Sequence, residues 1–344
     1  MSEPTQDPAP DGLAPHPGDD RLLPFQLERS QIRGRFVRLD RTLETILTQH
    51  RYPEPVSALV AEAALVTALV GQAVKLRWRF SIQIRGDGPV RLIATDYFAP
   101  KVEGEPARLR AYAGFDRGDV ASRRGSPFAL LGKGVMGVTI DQGPDMRPYQ
   151  GITPLAGQSI STCAETYFAQ SEQLATRFQV VAGQAQEPGG AMHWRAAGLM
   201  LQLMPDTEGQ GSAPDAPSGD DGLMNADDVA AMAHPARAED WARVNMLAAT
   251  AEAHEMIGPH VSVEALLTRL FHEETPRIFP KQPIAFGCTC SAERVKAALA
   301  QYSARDIAKM TTVDGRVTAD CQFCSAHYSF DPATLGFEAR KTSE

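Results

Sequence analysis

The sequence predicts an α+β fold: sheet and helix mixed in a large N-terminal part, then helical sequence, then a small cysteine-bearing segment. Three observations predict it. Apolar residues alternate at period two in Phe80, Ile82 and Ile84, and again in Val90, Leu92 and Ala94, across the turn Gly86-Asp87-Gly88-Pro89. Val56, Leu59, Ala63, Val66 and Val70 recur at helical spacing behind Pro53 and Pro55. Four of the five cysteines fall in two tight pairs near the C-terminus. The strands follow one another through hairpin-type turns rather than alternating with helices, which argues against a βαβ series.

Taken in order, residues 1–20 hold five prolines and five acids without Lys or Arg, and predict a disordered acidic tail. Residues 25–39 read as one extended stretch broken at Gly34. Asp40 is placed to cap a helix whose inner face is Leu43, Ile46 and Leu47. After the hairpin, Leu109, Ala111 and Ala113 predict a third strand, 135–141 a fourth and 146–155 a fifth. A helix is predicted over 159–170, and closing strands over 177–181 and 199–204. The core domain is thus read as 21–205. Residues 206–282 form a linker: a Gly/Ser/Pro/Asp-rich insertion at 206–224, then helices over 238–257 and 263–272. The last domain, 283–344, carries helices over 292–300 and 303–310 between the cysteine pairs, and a short strand from Val317 into Cys321.

A chain of 344 residues at 43% hydrophobic content can bury more than one core. No run of eighteen apolar residues is present, so no membrane-crossing helix is expected. The acidic N-terminus lacks the apolar core of a signal peptide, so the expected compartment is the cytosol, where thiols stay reduced. The net charge of −8 is concentrated: 1–20 and 206–228 hold twelve acids and no Lys or Arg, leaving the rest of the chain about four positive. That balance is too weak to argue for nucleic acid.

Cys288-Thr289-Cys290 and Cys321-Gln322-Phe323-Cys324 have the pairing of a four-thiolate zinc site. The bland reading is a structural knuckle that holds the tail together. Clustered thiolates also permit a switch: an oxidant converts one to a sulfenic acid, a neighbour resolves it to a disulfide, and the ligands are lost. Spacing alone does not choose between these. Other candidates are weaker. Gly132-Lys133-Gly134-Val135-Met136-Gly137 matches a dinucleotide fingerprint, but strand rather than helix follows it. Cys163 stands alone and reads as a packed, inert thiol. His327 is near Cys324, but four cysteines already fill a tetrahedron. His254-Glu255 and His272-Glu273-Glu274 lack the second histidine of a zinc protease helix.

The residues around the cysteines resemble a known family. Phe286-Gly287-Cys288-Thr289-Cys290-Ser291-Ala292-Glu293-Arg294-Val295 and Cys321 to Cys324 followed by Tyr328-Ser329-Phe330-Asp331 are similar to the two zinc motifs of the redox-regulated 33 kDa chaperonins. Tyr167-Phe168-Ala169-Gln170-Ser171-Glu172-Gln173-Leu174-Ala175-Thr176 resembles that family's Y-F-x-x-S-E-Q-x-x-T signature, and 134–141 and 270–274 also look familial. The resemblance implies a holdase of the heat-shock and oxidative-stress response rather than an enzyme. One Zn2+ would be held by Cys288, Cys290, Cys321 and Cys324 in the reduced, inactive form. Oxidation would form disulfides Cys288–Cys290 and Cys321–Cys324, release zinc and unfold the linker. The active form would be a homodimer that binds unfolded clients without ATP and passes them to ATP-driven chaperones, with no nucleic acid and no membrane as partner. The apolar helix faces Trp241, Leu247, Met256, Leu266, Leu270 and Phe271 are the candidate client-binding residues. Two rivals are a zinc-ribbon protein that binds nucleic acid, which needs a basic face near the cysteines, and a thiol-disulfide oxidoreductase, which needs a Cys-x-x-Cys opening a helix.

Overall fold

The computed structural model describes residues 19–186, 191–205, 225–231 and 235–339. It divides into two compact units, Met1–Phe286 and Gly287–Glu344. Residues 1–18 of the tail expected at 1–20, and the insertion at 206–224, lie outside the described residues.

The first unit opens with a hairpin, β1 (Arg21–Leu27) and β2 (Ile32–Leu39). The chain reverses at residues 28–31, where Gln31 takes a left-handed φ of 54°, and not at Gly34. Gly34 lies inside β2 because the Phe25 ring crosses it; a Cβ there would sit 2.0 Å from Phe25 Cζ. Helix α1 (Arg41–Thr48) follows, then α2 (Glu54–Ala73), entered through Pro53. Asp40 occupies the N-cap of α1 but makes no side-chain capping bond, because its carboxylate is committed to Arg195 and His193.

Next come β3 (Arg79–Gly86), β4 (Val90–Phe98) and β5 (Ala107–Phe115), the short helix α3 (Arg117–Ser122), β6 (Gly134–Asp141) and β7 (Tyr149–Pro154). Helix α4 (Ile160–Tyr167) runs into a π-helical turn, and long strands β8 (Thr176–Gln186) and β9 (Met192–Leu203) close this part. Four helices follow: α5 (Ala226–Ala231), α6 (Pro235–Ala249), α7 (Ala253–Ile257) and α8 (Val263–Phe271). The single helix expected over 238–257 is therefore two, parted where Glu252 starts α7 with a capping box to Glu255.

Strands β10 (Pro276–Ile278) and β11 (Gln282–Phe286) complete an eleven-stranded sheet in the order β7-β6-β3-β4-β5-β11-β1-β2-β9-β8, with β10 beside β1. β11 pairs antiparallel with β1 and parallel with β5, so residues 283–286 belong to the first unit and the second begins at Gly287. The short strand escapes a sequence reading because Pro280 precedes it, Pro283 lies within it and no alternation marks it.

Around β1, β2 and β9 the sheet is apolar on both faces. Leu22, Val37, Leu39, Ala196 and Met200 join the core built with α2 and α4; their neighbours Leu23, Phe25, Phe36, Ala197, Leu199 and Leu201 belong to a second core with α6, α7 and α8. Such near-continuous apolar strands are the mark of a sheet buried on both sides. Helix α2 is long and apolar enough to cross a membrane by length and composition, with mean hydropathy 1.7, but 78% of that window is buried as the core of this layer. The strand expected over 135–141 is present as β6, which takes in Gly134 and Gly137 of the glycine-rich stretch, and a Cβ on Gly134 would meet the Arg85 carbonyl oxygen at 1.9 Å.

Glu165 on α4 is half-buried, accepts the Phe178 N–H at 2.7 Å, and is pushed up to about 7, mainly by loss of solvent around its carboxyl. A folded-state value above the ordinary one, roughly 4.3, contributes stability that is fully present below that value and lost as pH rises through 7. Glu165→Gln is expected to flatten the change of urea midpoint between pH 5 and 8, measured by circular dichroism.

Candidate functional site

In the second unit, Cys288 and Cys290 precede α9 (Ala292–Leu299), which is followed by α10 (Ala304–Met310), β12 (Val317–Asp320), β13 (His327–Phe330) and α11 (Gly336–Ala339). Ser291 caps α9 by accepting the Arg294 N–H, and the Arg294 guanidinium donates back to Thr289 O at 2.6 Å, fixing the Cys-x-Cys loop. Cys321 and Cys324 occupy the turn between β12 and β13. There Cys321 N–H donates to Ala326 O and Ser325 N–H to Cys321 O, with Ser325 left-handed at φ 54°. The Cys-x-Cys loop and the β12–β13 turn thus bring all four sulfurs together.

The Sγ atoms of Cys288 and Cys321 are 3.6 Å apart, those of Cys290 and Cys324 3.3 Å, and all four lie within 4.8 Å of one another. None is in a disulfide. A tetrahedron with Zn–S of roughly 2.3 Å has edges of roughly 3.8 Å, so the donor set fits a metal ion of that kind. Burial pushes the Cys290 and Cys324 thiols up; Cys288 adds to this at both, while at Cys290 the hydrogen bonds with Tyr328 and Cys324 oppose it. Four thiolates at this spacing therefore call for a cation among them. Tyr328 donates its hydroxyl to Cys290 Sγ at 3.1 Å. His327 is turned to Asp320, at 2.6 Å, and is not one of the cluster.

The unit has little else to hold it. Its core cluster of buried residues is Ile307, Val317, Phe330 and Leu335, less than a unit of this length needs to fold on apolar burial alone. Among the described basic residues of the spacer 291–320, four are engaged within the unit. Arg294 is bonded to Thr289, Lys296 lies over the Phe330 ring, Lys309 pairs with Asp306, and Arg316 donates to Ser329. The Cys-x-x-Cys sits in a hairpin turn and not at a helix start, unlike the geometry an oxidoreductase of that type needs.

In the first unit, the candidate client-binding side chains face inward. Trp241, Met256, Leu266, Leu270 and Phe271 are buried and Leu247 is packed beside them, covering Phe25, Phe36, Leu199 and Leu201. Phe271 stacks on Phe25 with centroids 6.0 Å apart. Two buried arginines pin this cover to the sheet. Arg38 donates to Met256 O at 2.6 Å and Glu255 O at 2.7 Å, while Arg195 donates to Ile257 O at 3.2 Å and pairs with Asp19 at 2.6 Å and Asp40 at 2.9 Å. They satisfy the last carbonyls of α7 with positive charge, where a helix end favours it.

This polar pin was missed in the sequence; its signal is an arginine between Val37 and Leu39 in an otherwise apolar strand. The buried Asp19 and half-buried Asp20 also correct the reading of 1–20 as uniformly tail-like, since Asp20 accepts the backbone N–H of Asp40 and Thr42. The signature Tyr167 and Glu172 are structural. Tyr149 and Tyr167 both donate to Glu172 Oε1, at 3.3 and 3.1 Å, which ties β7 to the end of α4. Cys163 is buried on Ala156 O, its thiol pushed up by burial to about 11, as an inert residue should be.

Comparison with known proteins agrees with this picture. The family model described as Hsp33 protein matches residues 20–331. A 33 kDa chaperonin of Caulobacter vibrioides is 38% identical over 327 residues, covering 93% of this chain and 98% of that one. Another, of Proteus mirabilis, is 32% identical over 311 residues, covering 90% and 93%. The crystal structure of the 33 kDa chaperonin (heat shock protein 33 homolog) of Thermotoga maritima shares the fold, with a TM-score of 0.68 at 19% identity, covering 94% of this chain and 99% of that one. The class is that of a chaperone, not an enzyme. Within that class, the chain belongs to the Hsp33 family.

Arg38→Leu leaves the Glu255 and Met256 carbonyls buried without donors. A loss of about 2–4 kcal/mol in unfolding free energy is expected. Hydrogen exchange should show faster exchange in α7 before the β2–β9 ladder, and unchanged protection of α7 would contradict the role given to Arg38.

Proposed function

We propose that this chain is a redox-regulated, ATP-independent holdase, kept inactive when one Zn2+ is bound by Cys288, Cys290, Cys321 and Cys324. The observation that carries this is the convergence of four sulfurs within 4.8 Å in a unit whose own apolar core is only a few side chains. Bound there, zinc would neutralise clustered thiolates and supply folding free energy, roughly 10–16 kcal/mol in small zinc peptides. Every step of activation belongs to the chain's own groups. A thiolate attacks hydrogen peroxide, the O–O bond breaks and hydroxide leaves to give a sulfenic acid, or it takes chlorine from hypochlorous acid with loss of hydroxide and water then displaces chloride; a neighbouring thiolate displaces hydroxide from the sulfenic acid to form a disulfide. The thiolates so consumed no longer hold a metal, and the small unit loses its staple.

The resemblance to the family supports pairings Cys288–Cys290 and Cys321–Cys324. The contacts of 3.6 and 3.3 Å run across the motifs, Cys288 to Cys321 and Cys290 to Cys324, so the pairings rest on the resemblance and not on distance. Release of the helices over 235–271 would uncover Leu23, Phe25, Phe36, Leu199 and Leu201, together with Trp241, Leu247, Met256, Leu266, Leu270 and Phe271. A surface of that composition binds exposed apolar segments of unfolding proteins without a catalytic group. In this reading the oxidised form is a homodimer, works in the cytoplasm and yields its clients to ATP-driven chaperones on reduction.

The test follows metal and client on one sample. Reduced protein is expected to contain one zinc per chain. Peroxide at heat-shock temperature should release it while light scattering of a thermally unfolding client falls. Zinc release with unchanged client aggregation rejects the holdase reading, and equal protection by the reduced, zinc-loaded form rejects the switch. Cys288→Ser should weaken zinc binding at least tenfold in a chelator competition, and normal binding removes Cys288 from the ligand set.

A further inference from the structure

We propose that Tyr328 tunes the thiolate cluster, its hydroxyl restraining Cys290 so that oxidation of the cluster is slower and begins less often at that sulfur. This rests on the metal-thiolate reading above and concerns a side chain outside the ligand set.

The hydroxyl is positioned by the fold rather than by the sulfur. Tyr328 stands in the middle of β13, opposite Ala319 of β12. Its ring stacks on Phe330 with centroids 6.4 Å apart and planes 12° from parallel, and it packs on the small core cluster. A ring held on two sides has little freedom, and its Oη is delivered 3.1 Å from Cys290 Sγ. Cys290 also borders the N-cap of α9 through Ser291, so the loop that carries it is itself constrained.

The chemistry follows from where the electrons must go. In oxidation by a peroxide, a sulfur lone pair attacks one peroxide oxygen, the O–O bond breaks, and hydroxide leaves as the sulfenic acid forms. In the second step another thiolate attacks that sulfur, the S–O bond breaks, a disulfide forms and a second hydroxide leaves. A lone pair engaged by an O–H donor is less available for the first attack, and hydrogen bonds to charged acceptors are the stronger kind. The same bond disperses charge on a metal-bound thiolate, as partners outside the ligand set commonly do. Tyr328 is therefore a positioning residue that sets reactivity through Cys290.

The experiment uses the full chain with Tyr328→Phe, which keeps the ring and removes the donor. Hydrogen peroxide is the oxidant, and Co2+ substituted for zinc is the spectroscopic probe. The expected results are a sulfur-to-cobalt charge-transfer band moved to lower energy, zinc release by peroxide faster by about threefold to tenfold, and a larger share of the first sulfenic acid at Cys290 by dimedone labelling and mass spectrometry. Replacing tyrosine by 3-fluorotyrosine, a stronger donor, should shift band and rate the other way without touching the packing. A tetrahedral cobalt-thiolate spectrum with band and rate unchanged in Tyr328→Phe and in the fluorinated protein overturns the role of Tyr328 and leaves the metal reading intact. Failure of the unaltered chain to give that spectrum overturns the metal reading and this proposal with it.

Discussion

A sheet that is apolar on both faces must be covered on both faces, and the first unit is built around that constraint. Strands β1, β2 and β9 alternate strictly, so adjacent residues such as Leu22 and Leu23, or Met200 and Leu201, feed opposite cores. One core is closed by α2, which is buried along most of its length and contacts strands across the sheet. The other is closed by α6, α7 and α8, which are shorter and carry exposed outer faces. Cover of the first kind is integral to the fold. Cover of the second kind sits on the opposite face, which is equally apolar, yet is held partly by polar pins, Arg38 and Arg195 on the end of α7.

The second unit has the opposite problem. It has four sulfurs placed so that they could hold a metal ion, and a core of a few side chains, so on the proposed reading its folding free energy comes largely from what the sulfurs hold. Chemistry at sulfur then acts directly on folding, because the same lone pairs serve as ligands and as nucleophiles. A larger apolar core would uncouple the two. The small core and the thiolate cluster are thus parts of one design, and the tyrosine on Cys290 is a side chain through which the fold can adjust its sensitivity.

Much of this was legible in the sequence because it rests on local pattern. The β3–β4 hairpin follows from alternation on both sides of a glycine turn, α2 from its apolar spacing behind a proline, and the cysteine pairs from their spacing. What escaped depends on contacts far apart in the chain. Gly34 looks like a breaker until Phe25 is seen lying across it. Asp40 looks like a helix cap until Arg195, 155 positions away, takes its carboxylate. Tyr328 is visible in the sequence as part of a motif, but its hydroxyl acquires a partner only when β13 is folded beside Cys290.

One strand has a consequence for how the protein comes into being. The half-sheets β7-β6-β3-β4-β5 and β1-β2-β9-β8 are joined in hydrogen-bonded order through β11, the last strand of the first unit in the chain. During synthesis, a chain growing from its N-terminus cannot close its large sheet until Phe286 has left the ribosome. Cys288 and Cys290 emerge immediately afterwards. Until then β1 and β5 present open edges at what will become the middle of the sheet, so the nascent protein passes through a stage in which it, too, is an incompletely folded chain with apolar strands exposed.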